Sequence, residues 1–399
     1  MAPVTDPFHP RYFDQRDLGD ELDRVGAVCA GCRACVERCE AFPRLFELLD
    51  GAAATGRHRL TPDEQQVVVD GCFDCGLCVL ACPDAPGRSD RAIDVRQLLQ
   101  RARELRHRDH PPPVTTRIAA GARRLVTRVS DPRPRTRFTT WMAQRSSSPN
   151  DGARPVVMFP TCHVEHHAPE IGRAGVGLLE QTGADCRVPS GLVCCGAPQL
   201  AAGDVAGFVE SGRRNVRLLT EALGAHRSDR DGDAADRDRV EVVVPLPACA
   251  EILRSQYVRY VGGSDAELLA EATVDLAAHL LEHPPSMAEA TSEPTGDAGA
   301  VTLHLPCRSR TAPADGAIAE LLRRDGFEVT EVSGCLSPRA PQAILAAAAT
   351  EVAVAIGSRG DGVVSSACPT ALGAIVASST IVGVHPLELL ARHRGLLDN

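Results

Sequence analysis

The chain has 399 residues, 44% hydrophobic but only 3% aromatic, so its cores must be built from Ala, Val, Leu and Ile. That length points to roughly two to four domains. All 43 basic residues are Arg, and the net charge of −9 argues against a nucleic-acid binder of the ordinary basic kind.

The first residues, "MAPVTDPFHPRYFDQRD", lack a charged-then-apolar leader, so we expect a cytoplasmic protein, with the inner face of a membrane as a peripheral option. In that compartment sixteen cysteines point to metal ligands or redox groups rather than structural disulfides. Eight of them fall into two near copies. "CAGCRACVERCE" places Cys29, Cys32, Cys35 and Cys39 at spacings x2, x2, x3, and "CFDCGLCVLACPD" repeats the pattern with Cys72, Cys75, Cys78 and Cys82. Zinc sites usually pair two C-x2-C knuckles around one tetrahedral ion. Three cysteines at x2 and x2 instead wrap one [4Fe–4S] cube, and the x3 step carries the fourth toward a neighbouring cube. By that rule Cys29, Cys32, Cys35 and Cys82 hold one cluster, and Cys72, Cys75, Cys78 and Cys39 the other. Pro83 fits the usual ending of such a run, whereas Glu40 departs from it.

Between the runs, "AFPRLFELLD" has helical apolar spacing. "TPDEQQVVVD" opens with a Thr cap, Pro at the first helical position and Glu three residues after the cap. Residues 1–108 therefore resemble the α-helical ferredoxin of succinate dehydrogenase iron–sulfur subunits rather than the small βαββαβ ferredoxin. Residues 109–154 read as a basic linker; from Arg101 to Arg154 there are thirteen Arg against four acids. A solvated connector is the expectation, and docking on an acidic partner or a membrane surface the alternative.

Past the linker the chain appears twice, over 155–286 and 300–399. The first copy reads "PVVMFPTCHVEHHAPEIGRAGVGLLEQTGADCRVPSGLVCCGAP" and then "EVVVPLPACAEILRSQY"; the second reads "AVTLHLPCRSRTAPADGAIAELLRRDGFEVTEVSGCLSPRAP" and then "DGVVSSACPTALGAIV". Each has a strand ending in Pro and Cys, a helix, a Gly turn and another strand. A second cysteine site follows, and a third cysteine opens a late helix. Alternating strands and helices predict an α/β layered unit. The fold expected for the whole chain is α+β multidomain: an N-terminal α-helical ferredoxin with two [4Fe–4S] sites, then two tandem α/β repeats. The uncharged run Gly362–Val384 is long enough for a membrane span, but Cys368, Pro369 and its Ser and Thr residues make strand–turn–helix–strand the better reading.

The order Cys, then Cys-Cys-Gly, then a Cys-x2-Cys site, present twice behind a two-cluster ferredoxin, resembles the cysteine-rich CCG family. That family includes the cysteine-rich component of heterodisulfide reductase and the iron–sulfur subunits of glycolate oxidase and of anaerobic glycerol-3-phosphate dehydrogenase. The last is similar in layout, down to the tail "VHPLELLA". The opening "CAGCRACVERCEAFPRLFELLD" also resembles heterodisulfide-reductase-related iron–sulfur proteins found beside rubrerythrins. The resemblance implies cofactor binding at Cys162, Cys194, Cys195 and Cys249 in the first repeat and at Cys307, Cys335 and Cys368 in the second. This chain departs from the pattern at Leu246, Leu336 and Ala371, which stand where further cysteines are often found. Four thiolates can supply a full set for one cluster. Three need water, His or substrate on the fourth iron, so the second repeat either holds an open cluster or has decayed into a structural partner.

His163, His166 and His167 crowd Cys162 as candidate ligands or proton donors, and His304 matches a His the family often shows. Cys186, in "ADCRV", reads as a small buried apolar residue of a strand. "GRAGVG" lies in a helix-like run rather than after a strand, a poor phosphate loop. With no dinucleotide fingerprint, flavin and NAD chemistry is expected on a partner. Three functions remain open. The first is the iron–sulfur electron-transfer subunit of an oxidoreductase, relaying electrons from a flavoprotein dehydrogenase of a hydroxy acid or polyol phosphate to a quinone, thiol or other acceptor. The second is a self-contained disulfide or thiol reductase, and the third a carrier for a rubrerythrin-type peroxide defence. No catalytic residue is assigned.

Overall fold

The computed structural model describes residues 4–36, 39, 42–72, 74–111, 136–145, 153–227, 240–285, 298–307, 316–333, 363–377 and 382–397. The linker readings between 112 and 135, the polar loops at 228–239 and 286–297, and Cys335 with Leu336 fall outside the described residues. The described residues divide into two compact units, the first built mainly from residues 4–111 with 198–206, the second from the remainder.

The first unit is helical: α1 (Gln15–Cys32), α2 (Phe42–Ala54), α3 (Pro62–Gly71), α4 (Leu77–Ala81) and α5 (Val95–Asp109). Three of these starts have a clear physical cause. Asp14 caps α1 by accepting from the Asp17 N–H, and Asp94 caps α5 by accepting from the Gln97 N–H. Thr61 and Glu64 close a full capping box at α3, with Pro62 at the first helical position. Leu18, Val25, Phe42, Leu45, Phe46, Val69 and Leu98 form the shared core. Buried arginines on α5 then tie down irregular backbone. Arg101 donates to the Tyr12 and Arg11 carbonyls and to Asp17, and Arg103 donates to the Val69 carbonyl at 2.7 Å and the Cys72 carbonyl at 2.5 Å. Buried guanidiniums persist where carbonyls and carboxylates satisfy them.

The second unit holds two four-stranded parallel sheets. The first contains β1 (Arg154–Met158), β2 (Ala184–Arg187), β3 (Glu241–Val244) and β4 (Thr273–Asp275), in the order β2-β1-β3-β4. The second contains β5 (Ala300–Leu305), β6 (Glu328–Ser333), β7 (Val363–Ser366) and β8 (Gly383–Val384), in the order β6-β5-β7-β8. The two orders are the same when each sheet is counted from its own first strand. Helices connect the strands: α6 (Phe138–Gln144) precedes β1, α7 (Thr161–His166) and α8 (Pro169–Glu180) lead to β2, and α10 (Val205–Arg227) follows it after the short α9 (Ala197–Ala202), nearly all of which groups with the first unit. α11 (Pro247–Glu251) continues through a π-turn at Ile252–Gln256 into α12 (Tyr257–Tyr260), and α13 (Ser264–Ala272) precedes β4. After β4 comes α14 (Leu276–Glu282); the second sheet carries α15 (Ala317–Arg324), α16 (Pro369–Ala377) and α17 (Pro386–His393) at matching places. Met158, Val243, Leu276, Leu303, Leu322 and Leu387 belong to one apolar core that joins both sheets.

Several sequence expectations meet the structure here. "GRAGVG" lies inside α8, Cys186 is a buried residue of β2, and Gly362–Val384 contributes β7, α16 and β8. No helix among the described residues is long and apolar enough to cross a membrane.

Candidate metal centre

In a parallel sheet the loops leaving the C-terminal strand ends converge on one edge. Three such loops in the first sheet of the second unit carry cysteines. Cys162 opens α7 directly after β1, Cys194 and Cys195 lie in the loop after β2, and Cys249 sits in the first turn after β3. Their sulfurs meet: Cys162 Sγ lies 3.5 Å from Cys194 Sγ, and Cys195 Sγ lies 3.4 Å from Cys249 Sγ. Hydrogen bonding to Cys194, followed by burial, pushes the Cys162 thiol far above its ordinary range. Contacts with Cys194 and Cys249 do the same to the fully buried Cys195. Four thiols this close cannot shed their protons together in an apolar site unless a cation of high charge replaces them.

The backbone holding them is specialised. Thr161, just before Cys162, is β-branched yet has φ +70°, a left-handed conformation that side chains of its kind avoid. Strain of this sort persists where the surroundings over-determine it. Gly196, which completes Cys-Cys-Gly, has φ +89°, and an added Cβ would stand 2.6 Å from the Phe208 ring. Beneath the loop lies Asn215 of α10, fully buried. Its Oδ1 accepts from the Val193 N–H at 2.9 Å, and its Nδ2 donates to the Val193 and Cys194 carbonyls at 3.2 Å. Tyr257 donates to the Cys195 carbonyl at 3.0 Å. Sequence reasoning missed both Asn215 and Tyr257, since a lone Asn inside a 23-residue helix and a Tyr after a π-turn carry no motif.

The histidines near Cys162 are placed differently from one another. His163 and His167 stack with ring centroids 5.7 Å apart, and burial followed by His167 lowers the His163 pKa to about 4. His304 lies buried in β5 with Nδ1 at 2.9 Å from Ser366 Oγ, a sheet-interior position. Cys307 and Cys368 follow the adjacent parallel strands β5 and β7, and Ser366 Oγ accepts from the Cys368 N–H. Leu246 and Ala371, at the departures from the pattern, are buried apolar residues.

The first unit gathers the other eight cysteines. Cys29, Cys32, Cys35 and Cys82 line one cavity, where Cys78 also reaches, against Phe46, Ile93 and Val95. Burial and then Cys35, Cys82 and Cys32 push the Cys29 thiol up to about 12. For Cys78, burial is again the largest cause, followed by Cys72, Cys75, Cys39 and Cys35. Left-handed residues bend the loops between cysteines: Arg33, Asp74 and Gly76 have φ of 52°, 58° and 79°. The Asp74 N–H points at Cys72 Sγ, 3.4 Å away, and its carboxylate pairs with Arg96. Both donor sets are all-sulfur, which suits iron–sulfur clusters better than a hard cation.

Comparison with known proteins agrees with this centre. The family model described as "Cysteine-rich domain" (CCG) matches residues 156–227. The chain is 34% identical over 70 residues to a fumarate reductase (CoM/CoB) subunit of Methanothermobacter marburgensis, which is 18% of this chain and 14% of that protein. It is 28% identical over 132 residues to lactate utilization protein A of Geobacillus kaustophilus, covering 32% of this chain and 48% of that protein. Against the Bacillus cytotoxicus protein of the same name it is 23% identical over 152 residues, covering 38% and 56%. The chain thus spans about half, or less, of the length of these relatives. With its Cys-Cys-Gly loop and the matched residues 156–227, this chain carries a CCG cysteine-rich domain.

Proposed function

We propose that the chain is an iron–sulfur electron-transfer subunit that accepts electrons from a flavoprotein dehydrogenase partner acting on a small hydroxy acid. The observation that carries this reading is the meeting of Cys162, Cys194, Cys195 and Cys249, drawn from three loops onto one strand edge. Two further thiol sets in the first unit, Cys29, Cys32, Cys35 with Cys82 and Cys72, Cys75, Cys78 with Cys39, suit a pair of [4Fe–4S] cubes. When bound, such clusters supply one-electron transfer at low reorganisation cost.

The chain's own residues supply the rest. The thiols ligate, Asn215 and Tyr257 hold the Cys194–Cys195 backbone in place, and Phe46, Ile93 and Val95 form an apolar wall of the first-unit cavity. Oxidation of a 2-hydroxy acid to the 2-oxo acid releases two electrons and two protons on the partner. This chain passes the electrons singly to a quinone or thiol acceptor. Among the two substrate classes named above, the relatives called lactate utilization protein A favour the hydroxy acid.

Anaerobic purification at native level tests the proposal. About eight irons from the first unit, with further iron from the repeats, and a co-purifying flavoprotein that reduces the chain on addition of a hydroxy acid are the expected result. Zinc in place of iron, or turnover of a disulfide by the isolated chain without any flavoprotein, overturns it.

A further inference from the structure

A second cluster of side chains lies in the same unit at the opposite, N-terminal edge of the β2-β1-β3-β4 sheet. Glu241 is the first residue of β3 and is aligned with Val156 of β1. Asp275 ends β4 level with Val244, the last residue of β3. α14 starts there and runs back along the sheet, so its last turn returns to the level of Glu241. His279 and His283, four residues apart, share one face of that helical turn. Glu241, His279 and His283 each offer a ligand atom, and these atoms all lie within 4.8 Å of one another.

His279 is held against Glu241 inside the protein. The residue is 1% exposed. Its Nδ1 pairs with Glu241 Oε2, while its Nε2 is buried without a hydrogen-bond partner. The Nδ1–carboxylate contact is the one an ion shared with Glu241 replaces, since Nε2 faces the other side of the ring. The His283 ring stands with its centroid 4.6 Å from that of His279. Arg154 of β1 faces the same carboxylate and already offsets its charge. The arginine offsets the carboxylate's charge but offers the imidazoles no electron-pair acceptor of the kind a metal ion provides.

We propose that Glu241, His279 and His283 form a zinc site, separate from the thiol sites. Two imidazoles and one carboxylate make a three-ligand set that zinc accepts, with water in the fourth position. Iron–sulfur clusters prefer the soft thiolates at the other strand edge, whereas imidazole and carboxylate suit a borderline ion, so the two sites sort their metals by donor chemistry. The ion would pin the last turn of α14 to the start of β3. Because the site exists only once sheet and helix have met, zinc binding adds to folding stability.

The test uses the full-length chain purified anaerobically with its iron and sulfide intact, Zn²⁺ alone as the probe, and three variants. His283→Gln and Glu241→Gln remove ligands; Glu282→Gln, at a neighbouring position outside the ligand set, is the control. Zinc per chain is counted, and X-ray absorption reads the nearest atoms of the bound ion. The expected result is one zinc in the wild type and in Glu282→Gln, with nitrogen and oxygen neighbours at about 2.0 Å and no sulfur. Both ligand variants should bind it more than about 100-fold more weakly, beyond the loss typical of outer partners. Zinc should raise the melting temperature of the wild type but not of either ligand variant, with circular dichroism unchanged. Equal zinc in the wild type and both ligand variants, or sulfur in the ion's shell, overturns the proposal.

Discussion

Asn215 donates from Nδ2 to the Tyr257 hydroxyl oxygen at 3.0 Å, and Tyr257 donates onward to the Cys195 carbonyl at 3.0 Å. Burial, then the neighbouring Cys195, raises the Tyr257 pKa, so the phenol stays a neutral donor. The two side chains thus form one support for the Cys194–Cys195 loop from below. Asn215→Ala should cost about 2–4 kcal/mol, because it strands the Val193 N–H and two carbonyls in a dry site. Tyr257→Phe should cost about 1–3 kcal/mol. Since they share a hydrogen bond, the double variant should lose less than the sum. Denaturant titration of all four proteins checks this, and additive losses would show that the two side chains act separately.

Gly196→Ala carries two penalties at once. Its φ of +89° costs an L-residue about 1–2 kcal/mol, and the new methyl would stand 2.6 Å from the Phe208 ring, which over-packing series put at about 1–3 kcal/mol. The variant should therefore lose stability and, on the proposed function, part of its iron. Thermal melts and iron counts measure the two effects side by side.

On the proposed function, the crossed thiol sets predict an asymmetric response in the first unit. Cys82→Ser should damage the cluster held by Cys29, Cys32 and Cys35 more than that of its sequence neighbours Cys72, Cys75 and Cys78. Loss of about four irons, with the spectrum of one reduced cluster retained, is the expected outcome. A uniform loss of both would count against the crossover.

Asp275 gives a pH signature. Burial outweighs the Ala277 and Ala278 N–H bonds and Arg254, and raises its pKa from 3.8 to about 6. The folded state then binds the proton more tightly than the unfolded chain. Stability from this group is full below pH 3.8 and is lost as pH climbs through about 6, by roughly 3 kcal/mol at most. Asp275→Asn keeps the helix cap at the Ala277 N–H but cannot ionise. The stability of the variant relative to wild type should therefore grow between about pH 4 and pH 6 and level off above. Melting temperatures of both proteins across that range measure it, and a constant difference would remove Asp275 as the cause.

The local elements of this protein lie close to the surface of its sequence. Thr61, Pro62 and Glu64 spell a helix start because both capping contacts and the Pro fall within four residues, and the structure forms the contacts. The strand–helix–strand character of Gly362–Val384 is legible for the same reason: period and turn chemistry act between near neighbours. The x2-x2-x3 runs and Cys-Cys-Gly likewise announce their donor chemistry, since the spacing of thiols along a chain limits which can face one ion.

The tertiary structure alone decided how distant residues meet. Cys249 lies 54 positions from Cys195, and Asn215 is 42 from Tyr257; no periodic pattern links them, and only the crossover of parallel strands brings them to one edge. Glu241 and His279 are 38 apart in sequence, and the carboxylate would read as an ordinary strand-end charge without the fold. His279 and His283, at helical spacing, are the one visible trace of that second cluster. A parallel sheet sends every loop after a strand to one edge and every helix return to the other. That geometry separates the four thiols from the Glu241, His279 and His283 cluster, and it belongs to the sheet rather than to any short stretch of residues.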